Sequence, residues 1–324
     1  MKCISAVLSG LAVLCFCASA FAADGKNLAP SIAEWTVSGK SAEVVKDGES
    51  FCITGTKGCS ATMASPAFLE PGKTYVLLLK AKRDGDTSGV VYTGCGLIGR
   101  NWYIKNQDEW TTLVNYFTVS SDASVNKKLI IGANDVSGKT TIKNIVVFPV
   151  QITNTKDGDI ELGYGEALAK GAYTDFHNAD WSKEWQGGCI HRTLDVLKTF
   201  YSTEFFCGQA NNEVIYKESL PFNMNSASVN VVISYYNKDD YYSKGVLELY
   251  VSKDKQNWTK IASRNETGNL SAEVPASFFP TKTLYVRLAT GTEPTILYFR
   301  YYKFSAKVDY SGKDIKGETK LDIQ

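Results

Sequence analysis

The sequence predicts an all-β protein: two tandem jelly-roll or β-sandwich domains behind a signal peptide. Three observations carry this. Short runs rich in Val, Ile, Tyr, Thr and Phe recur between clusters of Gly, Asp, Asn and Ser, the pattern of strands separated by turns. From Ala67 to Val150 no helical periodicity interrupts them. The 324 residues exceed what one small sandwich uses, so two domains are expected.

Lys2, the apolar stretch Ile4 to Cys17 and the small-residue site Ala20-Phe21-Ala22 form a secretory signal over residues 1–22. The expected destination is secreted, periplasmic or cell-surface. No later segment offers the ~18 consecutive apolar residues of a spanning helix, so membrane insertion is not expected. The formal charge of +1 falls to zero once Lys2 leaves. A neutral surface with interspersed signs has no electrostatic footprint for nucleic acid.

In the first domain, residues 24–150, strands are expected at Ala42 to Val45, Ser50 to Thr54, Ser60 to Phe68, Thr74 to Ala81, Gly89 to Ile98, Glu109 to Val119, Lys128 to Ala133 and Thr140 to Phe148. Eight strands is the jelly-roll number. A polar stretch, Thr153 to Gly158, marks the boundary. The second domain, residues 156–309, reads poorly as far as Gly188; strands return at Phe200 to Phe206, Glu213 to Glu218, Ser228 to Tyr236, Gly245 to Val251, Trp258 to Ala262, Thr283 to Ala289 and Thr295 to Val308. Residues 310–324 are polar and expected to fray.

Eight cysteines occur, three of them inside the signal. In an oxidising compartment close pairs read as disulfides before metal ligands: Cys52 with Cys59 across the Gly55 to Gly58 turn, and Cys189 with Cys207. Cys95 remains, either a small buried residue or a reactive thiol.

Alternation along Trp110 to Val119 puts Leu113, Phe117 and Val119 on one side and Trp110, Thr112, Val114 and Tyr116 on the other. If the first side is core, the second offers two rings and a hydroxyl on an outer sheet face, although Asn115 then falls inward. Rings cover the apolar face of a pyranose while polar neighbours bond its hydroxyls. Gly99-Arg100-Asn101-Trp102-Tyr103 supplies a second stacking surface beside planar donors, with Tyr92 on the preceding strand. The candidate ligand-binding set is Tyr92, Arg100, Asn101, Trp102, Tyr103, Trp110 and Tyr116. Trp110 as a core or rim residue, and Trp102 as a lid on the core, are the structural alternatives. Trp181 and Trp185, near Asp175, His177 and Asp180, could line a loop pocket.

The stretch from Ala67 to Val150, with Pro71-Gly72-Lys73-Thr74-Tyr75 before one strand, Trp110-Thr111-Thr112 opening another and Thr140 to Phe148 closing it, resembles carbohydrate-binding modules of the CBM4/9 and CenC-like group. The resemblance implies a jelly roll that binds a polysaccharide or glycan without catalysis. It also implies a structural calcium between opening and final strands; Asn27, Glu34 and Asn144 match by position, with Asn144 where Asp is usual. Asp157, Asp159 and Glu161, in a second such opening, keep the acids calcium prefers, and calcium is expected there first. No other cofactor is required. Leu247 to Thr259 resembles the strand-turn-strand element of discoidin-like sandwiches, with Lys255 in place of Gly.

No Gly-x-Ser-x-Gly elbow, His-Glu-x-x-His or phosphate loop is present, so enzymes built on those devices are unsupported. Two other readings stay open. One is a structural or adhesive envelope protein contacting cell-envelope proteins. The other is a cryptic polysaccharide lyase or glycoside hydrolase, which would need paired carboxylates or a Tyr beside His177 or His191.

Overall fold

A computed structural model describes residues 26–84, 90–94, 101–103, 108–119, 127–178, 191–198, 206–208, 211–235, 245–293 and 295–324. Strands dominate as expected, and they gather into two curled sheets. In the first half they are β1 (Thr36–Asp47), β2 (Ser50–Ala67), β3 (Thr74–Asp84), β4 (Val90–Gly94), β5 (Asn101–Tyr103), β6 (Thr111–Thr118), β7 (Lys128–Asn134) and β8 (Gly138–Asp157).

Two strands expected at Ser50 and Ser60 are one, β2, carrying a wide bulge. Lys40 pairs with Ser60, but Ala42 pairs with Gly55. Gly58 sits in this bulge with φ +87°, a backbone state that favours glycine. Before the bulge β2 pairs with β8, and after it with β7. The bulge thus lets one strand serve both layers, in the strand path β5-β4-β7-β2-β8-β3-β6.

Phe51, Ile53, Ala61 and Met63 of β2 face a core shared with Trp35, Tyr75, Leu77 and Phe117. Trp35 meets Phe51 edge-on at 5.5 Å, and its Nε1 donates to Pro30 O at 3.1 Å, so a fully buried indole leaves no unpaired donor. The alternation read along β6 holds: Leu113, Asn115, Phe117 and Val119 are buried, whereas Thr112, Val114 and Tyr116 lie on the other face.

The second half contains β9 (Ile160–Leu162), β10 (Glu166–Ala169), β11 (Ala172–Asn178), β12 (Leu194–Lys198), β13 (Phe206–Gly208), β14 (Glu213–Tyr235), β15 (Leu247–Ser252), β16 (Thr259–Arg264), β17 (Gly268–Glu273), β18 (Thr281–Thr290), β19 (Ile296–Val308), β20 (Ile315–Lys316) and β21 (Thr319–Ile323). Here β14 plays the part of β2. Its first third pairs with β12 and β18, and after a register shift its remainder pairs with β17 and β19. Between these layers lies a core that includes Tyr216, Val231, Leu249, Val286, Phe299 and Phe304.

The stretch read as a polar boundary is strand. β8 continues through Thr153 to Asp157, pairing with β21 over Val150 to Asn154 and with β9 beyond. The tail expected to fray therefore returns as structure: β20 joins β10, and β21 joins β8. Leu321 packs on a small apolar cluster of Val76, Leu78, Phe148 and Val150 on the outer side of the first sandwich. A mostly polar segment is ordered because its backbone completes ladders, which composition does not register.

The Cys52 and Cys59 pair is corrected: both are free thiols. Cys52 alternates with the core residues Phe51 and Ile53 and so faces outward, while Cys59 is buried and its thiol donates to Val136 O at 2.5 Å. Sulfurs on opposite faces of one sheet cannot meet. Cys207 lies on β13 opposite Leu297; Cys95 and Cys189 lie outside the described residues.

Candidate functional site

On the outer face of the first sandwich, pairing across β6, β3 and β8 builds three successive rows. Thr112, Lys80 and Lys143 form one, Val114, Leu78 and Val146 the next, and Tyr116, Val76 and Phe148 the third. The face grades from polar and cationic to apolar. Trp110, just before β6, is 41% exposed, and Lys143 Nζ stands 3.8 Å from its ring centroid. The ammonium holds the indole against the sheet. Trp110 is thus an open platform and not a core residue. Tyr116 is different: half-buried, it packs into the cluster that Leu321 adjoins.

The second candidate surface is seen in backbone only. Tyr92 pairs with Asn101, Val91 with Trp102 and Val90 with Tyr103. Side chains of Tyr92, Asn101, Trp102 and Tyr103, and Arg100 altogether, lie outside the described residues, as do Trp181 and Trp185. β5 and β6 stand at opposite ends of the strand path.

Of the acids expected to hold calcium, Asp157 and Glu161 have protein partners. Asp157 Oδ2 meets Lys313 Nζ at 3.1 Å, while Glu161 Oε1 accepts from Asn154 at 2.9 Å. Asp159 occupies the turn between β8 and β9. Asn27 clasps β8, accepting from Val147 N at 2.9 Å, and Glu34 Oε1 accepts from Ser31 N at 3.1 Å in a capping box. Among the described residues, no group of three His, Cys, Asp or Glu side chains could hold a metal ion.

A polar network missed in the sequence fills one end of the second core. Its members come from β10 (Glu166), β11 (Tyr173, Asp175, His177), the turn before β12 (His191, Arg192, Thr193), β14 (Tyr216, Glu218) and β19 (Tyr302). Asp175 Oδ2 contacts His177 Nε2 at 2.8 Å and accepts from Thr193 Oγ1 at 2.6 Å. The His177 ring stacks on His191 at 3.4 Å between centroids and meets Tyr216 and Tyr302 edge-on. Burial pushes the Asp175 carboxyl up, but the imidazoles of His177 and His191 and the Thr193 hydroxyl outweigh it and hold it below its ordinary value. Glu166 is chelated by Arg192 through both oxygens, and its Oε2 also accepts from Gly163 N at 2.6 Å.

Glu218 resolves the remaining balance. Tyr302 OH lies 2.9 Å from its Oε1 and Tyr173 OH 3.0 Å from its Oε2, but Tyr173 also reaches Glu166 at 2.6 Å. One hydroxyl hydrogen cannot serve two carboxylates. The shorter bond to Glu166 takes it, and the second contact is satisfied when Glu218 carries a proton. Burial first, then the charges of Asp175 and Glu166, push the Glu218 carboxyl well above its ordinary value, in agreement.

Between the unfolded value, about 4.3, and the raised folded value, the native state binds more protons than the unfolded state. Stability therefore falls as pH rises through that window. Glu218→Gln removes this dependence. Its thermal midpoint is expected to match wild type near pH 4 and to exceed it at pH 8; a difference constant with pH would show that Glu218 is ionised throughout.

Paired carboxylates and tyrosines beside both histidines were the marks sought for a hydrolase or lyase. They are present, but Glu166, Asp175, His177 and Glu218 are at most 2% exposed. Their hydrogen bonds cross-link four strands, β10, β11, β14 and β19, and a turn of the core.

No protein family and no curated protein matches the sequence. Among solved structures, the CBM22-1–CBM22-2 tandem of Paenibacillus barcinonensis Xyn10C is 12% identical over 87% of this chain and 98% of its own, with a TM-score of 0.29. The C-terminal family 22 carbohydrate-binding module of Clostridium thermocellum Xyn10B is 19% identical over 39% of this chain and 91% of its own, at 0.28. The enzymatically active domain of bacteriophage CBA120 tailspike protein 4 is 17% identical over 38% of this chain, at 0.30, and only 21% of that domain is spanned. These neighbours include carbohydrate-binding β-sandwich modules, and none of the three is named as CBM4/9.

Proposed function

We propose that this chain is a secreted, non-catalytic glycan-binding protein whose first sandwich offers Trp110 to a sugar ring. The observation that carries the reading is the 41% exposure of Trp110 beside Thr112, which is also exposed. An indole laid on a sheet covers a pyranose face, and adjacent hydroxyl and ammonium groups bond its hydroxyls. Binding without catalysis is supported by the carboxylates of the second core, which are closed off within their own network. Envelope proteins as partners are the second reading, favoured by the half-burial of Tyr116, which leaves one open ring where two were expected.

Insoluble-polysaccharide pull-down of wild type, Trp110→Ala and Trp102→Ala tests this. Loss of a stacked ring weakens binding by roughly 1–3 kcal/mol, about five- to 150-fold. Retention unchanged in Trp110→Ala would remove this face from the site. Wild type retained on no polysaccharide would leave protein contacts ahead.

A further inference from the structure

The outer face of the second sandwich carries a groove along β10. Glu166 and Leu168 of this strand point into the core, while Ala167 and Ala169 face outward, so the strand offers only methyl groups to the surface. Its neighbours are taller. On one side β11 raises Phe176, which alternates with the buried Asp175 and His177 and whose N–H donates to Gly165 O at 3.0 Å. On the other side β20 sets Lys316 opposite Ala167, with Asp314 just before the strand. Small side chains between large ones leave a trough of about 450 Å³, floored by Gly165, Ala167 and Ala169. Clefts that hold small ligands run from about 300 to 1,000 Å³.

The two walls differ in chemistry, and both are open to solvent. Phe176 is 39% exposed; the half-buried Tyr301 ring, 5.6 Å away and tilted by 44°, braces it from β19 without closing it off. Asp314 and Lys316 are exposed as well. Asp314 Oδ1 accepts from Lys170 N at 3.2 Å, which fixes the carboxylate at the rim. Its Oδ2 and Lys316 Nζ have no partner among the described residues. Glu166, the other carboxylate of these strands, is turned inward and chelated by Arg192. The groove itself therefore carries one negative and one positive group.

A purely apolar partner would desolvate both charged groups without pairing them, and an anionic one would meet Asp314. A neutral pyranose suits the whole set. Its C–H face covers the ring of Phe176, and the hydroxyls of its edge donate to a carboxylate and accept from an ammonium. We propose that this groove binds a neutral pyranose unit of a glycan chain, with its ring against Phe176 and its hydroxyls on Asp314 Oδ2 and Lys316 Nζ. The site lies on the second sandwich and does not depend on the Trp110 reading.

Isothermal titration of the full chain with cellohexaose, xylohexaose, mannohexaose and laminarihexaose, in wild type and in Trp110→Ala, tests the proposal. At least one hexasaccharide should bind Trp110→Ala, which isolates the groove from the face of the first sandwich. In that background Phe176→Ala should weaken the binding about fivefold or more, the worth of one stacked ring. Phe176→Tyr should keep it, and Phe176→Leu, apolar but without a ring face, should lose as much as Phe176→Ala. Ala167→Leu, which plants a side chain on the floor, should block it. The proposal is overturned if no hexasaccharide binds Trp110→Ala, if Phe176→Ala or Ala167→Leu binds as its parent does, or if Phe176→Leu binds as well as Phe176→Tyr, which would mark a general apolar dock. Binding that is the same in wild type and Trp110→Ala, and lost with Phe176, would instead remove the Trp110 face and keep the groove.

Discussion

Glu166→Ala is expected to destabilise the second sandwich by about 3–5 kcal/mol, the cost of leaving one member of a buried ion pair alone. Arg192 would keep its charge at 20% side-chain exposure, its remaining bond in this network running to Ser219 O at 3.3 Å. Gly163 N would lose its acceptor as well. Crowding shows why no other group can step in: a Cβ on Gly163 would lie 3.0 Å from Arg192 Cβ, and one on Gly317 would lie 2.1 Å from Gly163 O. The backbone around the carboxylate is closed too tightly for replacement without rearrangement. Glu166→Gln, retaining an oxygen for Gly163 N, should lose less. Denaturant unfolding measures both variants, and a loss under about 1 kcal/mol for Glu166→Ala would mean that Arg192 is hydrated and the pair is marginal.

Removing Thr319–Gln324 is the second large effect. The deletion strips a five-residue ladder from β8, the Thr319 hydroxyl that accepts from Tyr164 N and donates to Asn154, and the Leu321 contact with the apolar cluster. A destabilisation of about 2–4 kcal/mol is expected from the partly buried leucine together with the lost net hydrogen bonds. Leu321→Ala alone should cost about 1–2 kcal/mol, as the side chain is only partly buried. The truncated chain should also bind a hydrophobic dye through uncovered Phe148 and Val150. Unfolding and dye binding unchanged from the full chain would show that the strand contributes nothing to the first sandwich.

Much of the architecture was legible because alternation and turn residues are local signals. β6 is the clearest case: the inward and outward sets fell where the period of two put them, Asn115 included. What escaped depended on distant partners. Thr153 to Gly158 reads as a polar boundary, since nothing nearby shows that the distant β21 will pair with Thr153 and Asn154. Cys52 and Cys59 looked like a staple because the Gly55 to Gly58 segment reads as a hairpin turn and not as a bulge within one strand. The buried network left faint marks, two histidines and scattered acids, whose convergence needs the third dimension. Trp110 stands out in the sequence as a large aromatic at the start of a strand, but a core or rim place is the commoner fate of such a ring, and its 41% exposure shows only in the fold.

The clasp of Asn27 and the return of β21 have a mechanical consequence. Leu28 N donates to Val147 O, and Gln324 N donates to Pro149 O, so the two ends of the described chain grip one strand two residues apart. Val147, at the first of these contacts, belongs to the first core, and Phe148 and Val150 to the outer cluster, so loosening either clasp is expected to be felt directly in the packing of the first sandwich.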